Sequence, residues 1–147
     1  MMDLLDTQIL SALQANSRLS ASAIAGQVNL SVPAVLERMK KLRAAGVIER
    51  YTVRINRKAV GLKLLAFVFV RLDGSGSIGG FRDQIIGFAS VLECHHIAGA
   101  YDYVLKIAVE DTDELEKFLS AQLKRIGGVA ETNTQIVLAT LKEEFNA

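Results

Sequence analysis

Apolar residues recur at helical spacing through the first third of the chain and at strand spacing through much of the remainder. Leu5, Ile9, Ala12 and Leu13 form one stripe, with Asp3 and Asp6 near the positive end of the helix they predict. Asn16-Ser17-Arg18 is a polar stop. Leu19-Ser20 then reads as a staple residue and an N-cap opening a short helix to Val28, with Ala23, Ile24 and Val28 inward. After the tight connection Asn29-Leu30, Ser31 caps a third helix. Its first turn holds Pro33, the only proline of the chain, where the missing N–H breaks no helical bond. Val35, Met39 and Leu42 form its apolar stripe, and Gly46 ends it. Val47 to Val53 alternates loosely and predicts a short strand.

Beyond Ala59-Val60-Gly61 the period becomes extended. Leu64 to Leu72 predicts a buried strand, Asp73 to Ser77 a loop, and residues 78–89 a helix weakened by Gly79, Gly80 and Gly87. Val91 to Ala98 and Tyr103 to Val109 predict two strands joined through Gly99-Ala100-Tyr101-Asp102. Asp111-Thr112-Asp113 caps a helix running to about Arg125, and Val129 to Leu141 predicts a long final strand. Strand-helix-strand occurs twice, which is the ferredoxin-like split βαβ arrangement of an α+β protein. Helices pack on one face of such a sheet, so the other face is expected to drive self-association.

Composition adds a charge asymmetry. Residues 1–60 carry nine Lys or Arg and four Asp or Glu, a net of +5; residues 61–147 carry eight and twelve, a net of −4. A basic first part joined to an acidic second part suggests that the first meets a polyanion. Half of the 147 residues are hydrophobic, enough for a packed core. The longest apolar run, Leu64 to Val70, is too short for a membrane-spanning helix, and the N-terminus lacks a signal-peptide pattern. With Cys94 as the single cysteine, a reducing cytoplasmic setting is expected.

Two short helices followed by a longer basic one describe a helix-turn-helix, whose third helix enters the major groove of double-stranded DNA. On that helix Pro33, Glu37, Lys40 and Lys41 point away from the apolar stripe, with Leu36 and Arg43 on a flank. Arg38 lies beside the stripe, within reach of a phosphate, and Ser31 sits at the positive helix end, where phosphates bind. Val47 to Tyr51 suggests a wing, with Arg50 and Arg54 as candidate backbone contacts. Cys94-His95-His96 is the one tempting chemical cluster, but strand alternation sends the two histidines to opposite faces. No metal-binding spacing, GxSxG or Walker sequence is present, so a metal centre or an enzyme is not expected.

These residues resemble the Lrp/AsnC, or feast/famine, regulators of bacteria and archaea. The resemblance is carried by Leu5-Asp6, Ile9-Leu10 and Leu13; Asn16-Ser17-Arg18; Leu30-Ser31, Val35, Arg38-Met39 and Leu42; and Gly46-Val47-Ile48. Further on it rests on Gly61-Leu62, Gly99 to Tyr103 and Thr132-Asn133-Thr134. It implies a winged helix-turn-helix over residues 1–50, a strand linker over 51–63 and a ferredoxin-like βαββαβ (RAM) domain over 64–147. It also implies homodimers gathering into octamers or larger discs in the nucleoid, and an amino-acid effector bound between dimers, with no cofactor.

Gly99, Ala100, Tyr101, Asp102, Thr132 and Thr134 match the family's effector pocket. Asp102 would accept from an α-ammonium group, and N–H groups of the turn would hold a carboxylate. Two departures stand out: Ala98 where many members have threonine, and Ala23 where glutamate is frequent. The resulting expectation is a sequence-specific regulator of amino-acid metabolism genes that responds to an amino acid. The alternatives are an effector-independent architectural DNA-binding protein and, less favoured, an amino-acid-binding module of a metabolic enzyme.

Overall fold

The computed structural model describes residues 2–76 and 78–145. The chain divides into two compact units, one formed by the segment up to Arg54 with the residues from Glu144, the other by Ile55–Glu143.

The first unit holds three helices, α1 (Leu4–Ala15), α2 (Ala21–Val28) and α3 (Val32–Ala44), the last two started by the serines their sequence marks. Asp3 and Asp6 form a reciprocal capping box on α1. Ser20 accepts from the Ala23 amide on α2, and Ser31 accepts from the Ala34 amide on α3. Between α2 and α3 the chain turns at Asn29, whose φ of 54° is left-handed. Ile9, Ile24 and Val35, one from each helix, are completely buried against Leu13, Ala25, Val28 and Leu42. This small three-sided core fixes which face of α3 looks outward.

The second unit is a four-stranded antiparallel sheet of order β2-β3-β1-β4, with β1 Leu64–Leu72, β2 Val91–His96, β3 Tyr103–Val109 and β4 Val129–Ile136. Helices α4 (Ile78–Ile85) and α5 (Thr112–Lys117) supply Phe81, Ile85 and Leu115 to a core that includes Ala66, Val68, Val70, Leu105 and Ile107. The order is the one the repeated strand-helix-strand pattern predicts. Leu65, Phe67, Phe69 and Val104 occupy the opposite, half-exposed face, as strand alternation requires.

Six expectations need correction. Ala23, expected to face inward with Ile24 and Val28, is exposed. Strand β2 ends at His96 rather than Ala98. Residues 47–53 form no strand: among the described residues no strand pairs with them, and Val53 is 76% exposed. The final strand ends at Ile136 rather than Leu141, because its partner β1 begins at Leu64 and the last ladder bond runs from the Val137 amide to the Leu65 carbonyl. Helix α4 ends at Ile85 rather than residue 89; Gly87 turns the chain there, its amide bonded to the Gln84 carbonyl.

The helix expected to reach Arg125 changes winding after Lys117, passing through a wide π turn at Phe118–Gln122 and a 3-10 turn at Leu123–Arg125. In a regular α-helix Phe118 and Leu123 would point about 140° apart. The wide turn brings both into the core, at 2% and 0% exposure.

Candidate nucleic-acid interface and ligand loop

Helix α3 presents two different surfaces. Val35 and Leu42 are buried and Met39 half-buried, whereas Ser31, Pro33, Glu37, Lys40, Lys41 and Arg43 are exposed. The outward set predicted from the helical wheel, Pro33, Glu37, Lys40 and Lys41, is thus exposed together, with Arg43 on its flank and Ser31 at the helix start. Glu37 pairs with Lys41 at 3.7 Å across one helical turn, both exposed. Beyond the helix, the Arg43 guanidinium lies 5.7 Å from the Tyr51 ring centre, and Arg54 lies 5.5 Å from that of Phe145. Arg50 is exposed.

Arg38 behaves differently from its neighbours. Its Nη1 donates to Asp6 Oδ1 at 2.7 Å and to Asp3 Oδ2 at 2.8 Å. These bonds, with that to Asp6 first, raise the arginine's pKa. The Asp6 amide, followed by Arg38, lowers that of Asp3. Two apolar residues share the exposed face. Val32 and Leu36 are 38% and 52% exposed beside the lysines, and apolar side chains in that position can contact thymine methyl groups. Their signal was an apolar residue off the core stripe.

The loop between β2 and β3 is held to the end of β1. The Asp102 amide donates to the Val70 carbonyl, and an Asp102 carboxylate oxygen accepts from the Leu72 amide at 2.7 Å. Gly99 has a φ of +133°, a conformation that favours glycine. The Tyr101 ring lies 5.7 Å from that of Phe69, and its hydroxyl donates to Glu131, which also pairs with Arg71.

Thr132 and Thr134 stand opposite Val70 and Val68, on the helix-covered face, while Tyr101 meets Phe69 on the other. Within one chain the six candidate effector residues therefore divide between two faces of the sheet. Asp102 lines a cleft of about 200 Å³ together with Leu72, His96, Tyr103 and the backbones of Gly76 and Gly128. His96 stacks on Tyr103 at 5.0 Å, and the Arg82 Nε donates to the Tyr103 hydroxyl at 2.9 Å. His95, on the opposite side of β2, bonds Glu93. Among the described residues no group of three or more potential metal ligands occurs, and no helix is long and apolar enough to cross a membrane.

Comparison with known proteins gives this geometry its context. Residues 2–49 match a family model described as winged helix-turn-helix DNA-binding, and residues 65–147 match one described as Lrp/AsnC ligand binding domain. The chain belongs to the Lrp/AsnC family of DNA-binding transcriptional regulators. It is 33% identical over 144 residues to the leucine-responsive regulatory protein of Escherichia coli, covering 97% of this chain and 88% of that protein. It is 32% identical over 142 residues to the HTH-type transcriptional regulator FL11 of Pyrococcus abyssi, covering 97% and 93%. Among solved structures, a Neisseria meningitidis transcriptional regulator in complex with L-Met superposes with a TM-score of 0.94 at 28% identity, covering 99% of this chain and 95% of that one.

Within this Lrp/AsnC regulator the Ala23 departure has a visible local effect. Ser20 accepts from the Ala23 amide, but an alanine side chain returns no bond, so the cap on α2 is one-sided where that on α1 is reciprocal. Ala98 is exposed just before the loop and brings no hydroxyl to it.

Proposed function

We propose that this regulator binds DNA sequence-specifically through α3 and that an amino acid, bound by its second unit, modulates that binding at genes of amino-acid metabolism. The observation carrying the DNA reading is the exposed basic face of α3, capped by Ser31 and backed by a buried core. Ser31, Pro33, Glu37, Lys40, Lys41 and Arg43 supply its contacts, with Val32 and Leu36 among them and Arg50 and Arg54 on the flanking backbone.

The ligand reading is supported by the match to a ligand-binding family model, by the similarity to a regulator complexed with L-Met and by the Asp102-lined cleft. Gly99 to Asp102 form the loop of this site. Thr132 and Thr134 join it from the strand of a neighbouring copy, since within one chain they lie apart from Tyr101. A thermal-shift screen of the full chain against the common amino acids tests the sensing. One amino acid should raise the melting temperature, because a ligand bound only to the folded state stabilises it. The same amino acid should change affinity for a target duplex relative to random DNA. Equal affinity for both duplexes, with and without every amino acid, would replace this reading by the architectural one.

Homodimers assembling towards octamers complete the proposal. The supporting observation is apolar surface left uncovered in one chain, with Leu138 and Leu141 at 97% and 98% exposure. Light scattering on the full chain should give a mass of at least two protomers; a monomer at high concentration would rule the assembly out.

A further inference from the structure

We infer that Arg38 is a positioning residue that clamps α3 onto the capping box of α1 and so sets the pose of the DNA-contacting face, without itself touching DNA. The inference rests on the reading of α3 as the helix that meets DNA.

The geometry is a closed ring of four bonds. The Asp6 amide donates to Asp3 Oδ1 at 2.8 Å, and the Asp3 amide donates to Asp6 Oδ2 at 3.1 Å. The remaining oxygens, Asp3 Oδ2 and Asp6 Oδ1, both accept from Arg38 Nη1. Each carboxylate therefore serves the start of α1 and the middle of α3 at once. Asp6 is largely buried, its side chain 14% exposed, and that of Arg38 is 28% exposed, well below the 74% of Lys41.

Charge makes the arrangement informative. Asp3 and Asp6 are half of the four acidic residues in the first sixty. Placed in a unit that meets a polyanion, they oppose binding unless they serve it in another way. The contacts of Val35, Met39 and Leu42 with the core are apolar and non-directional, so they resist separation of α3 better than they resist its rolling or sliding. A guanidinium bonded to two fixed carboxylates resists both motions. A recognition surface must be held to within about 10–20° to be productive.

Simple electrostatics and the clamp predict opposite signs for one substitution. Asp6→Asn keeps an oxygen for the cap but removes a negative charge. If only net charge mattered, DNA binding would tighten. The clamp predicts that it weakens.

The experiment is fluorescence anisotropy with one duplex across a salt series. It uses the full-length wild type, Arg38→Met, Arg38→Lys, Asp6→Asn and the double variant Lys40→Ala/Lys41→Ala. Each is measured below its melting temperature, with its helical content verified by circular dichroism. Arg38→Met and Asp6→Asn should each weaken binding about tenfold, the scale of one lost base contact. Their salt slopes should match the wild type. Arg38→Lys should recover most of the loss, because an ammonium still reaches the carboxylates. A slope reduced by about one in Arg38→Met, with tighter binding by Asp6→Asn, would make Arg38 a phosphate contact and overturn the clamp. Wild-type affinity in folded Arg38→Met would overturn it as well. An unchanged slope in the double lysine variant would remove the reading of α3, and the clamp would fall with it.

Discussion

Replacing Lys40 and Lys41 by alanine is expected to lower the salt slope of DNA binding by about two and to weaken binding at moderate salt by roughly ten- to a hundredfold. Both side chains are exposed on the outward face of α3, so the loss should come without a fall in stability. Each lysine that neutralises a phosphate releases about one counterion, and counterion release is what the slope counts. Lys41 also stands 3.7 Å from Glu37, so in the proposed docking its removal leaves that carboxylate facing DNA without its partner.

Leu36→Ala should behave differently. In the proposed docking it removes apolar contact with base edges, so discrimination between duplexes should narrow while the slope stays constant. Lys124→Ala, an exposed lysine of the second unit, serves as control and should leave both quantities unchanged. Anisotropy titrations between low and moderate salt check all three; an unaltered slope in the double variant would mean that α3 is not the surface that meets phosphate.

The features legible in the sequence are those decided within a few residues. Ser20, Ser31 and Asp111 cap helices because each side chain reaches an amide three residues on, a distance the local chain sets by itself. The outward face of α3 was equally readable, since a helix carries its own periodicity.

What a local reading of the sequence does not reach depends on partners far along the chain. The end of β4 is decided by where β1 begins, more than seventy residues earlier. The side of the sheet on which Thr132 and Thr134 stand is decided by a register against Val70 and Val68, and alternation alone gives two equivalent answers. The bonds of Arg38 to Asp3 and Asp6 are not legible locally, because the two carboxylates lie 35 and 32 residues away. The segment 47–53 alternates as a strand would, yet alternation describes a surface and does not supply a neighbour to pair with. The π turn brings Phe118 and Leu123 into one core, a demand set by the packing around them rather than by a local pattern.

Lys106→Met should give the largest loss of stability among charge substitutions in the second unit, about 3 kcal/mol near neutral pH, the cost of breaking a buried ion pair from one side. Lys106 stands on the face of the sheet opposite the helices, only 9% exposed. Its Nζ donates to Glu143 at 2.5 Å and to Glu93 at 3.0 Å. Glu143, its side chain 12% exposed, also pairs with Arg57 at 3.2 Å. Burial alone would lower the lysine's pKa, but its bonds to Glu143 and Glu93 outweigh that and raise it. The same lysine, opposed by burial and aided by Arg57, holds Glu143 down from its ordinary 4.5 to about 2.

Methionine matches the volume of lysine, so the variant leaves no void; it leaves two carboxylates sharing a site with one cation fewer. The sign of the pH dependence follows from Glu143. A carboxyl depressed in the folded state contributes stability that is fully present above about pH 4.5 and disappears as pH falls towards 2. Lys106→Met forfeits most of that contribution at neutral pH, where the wild type has it in full. The gap between the two should therefore be widest at neutral pH and close as the pH drops through that window. Denaturant unfolding of both proteins from pH 7 down to 3 measures the gap directly. Adding Glu143→Gln and Glu93→Gln to Lys106→Met should restore much of the stability, because the facing negative charges are then gone and amides remain to hydrogen-bond. A constant gap across the pH range would show that Lys106 acts through packing of its stem rather than through its charge.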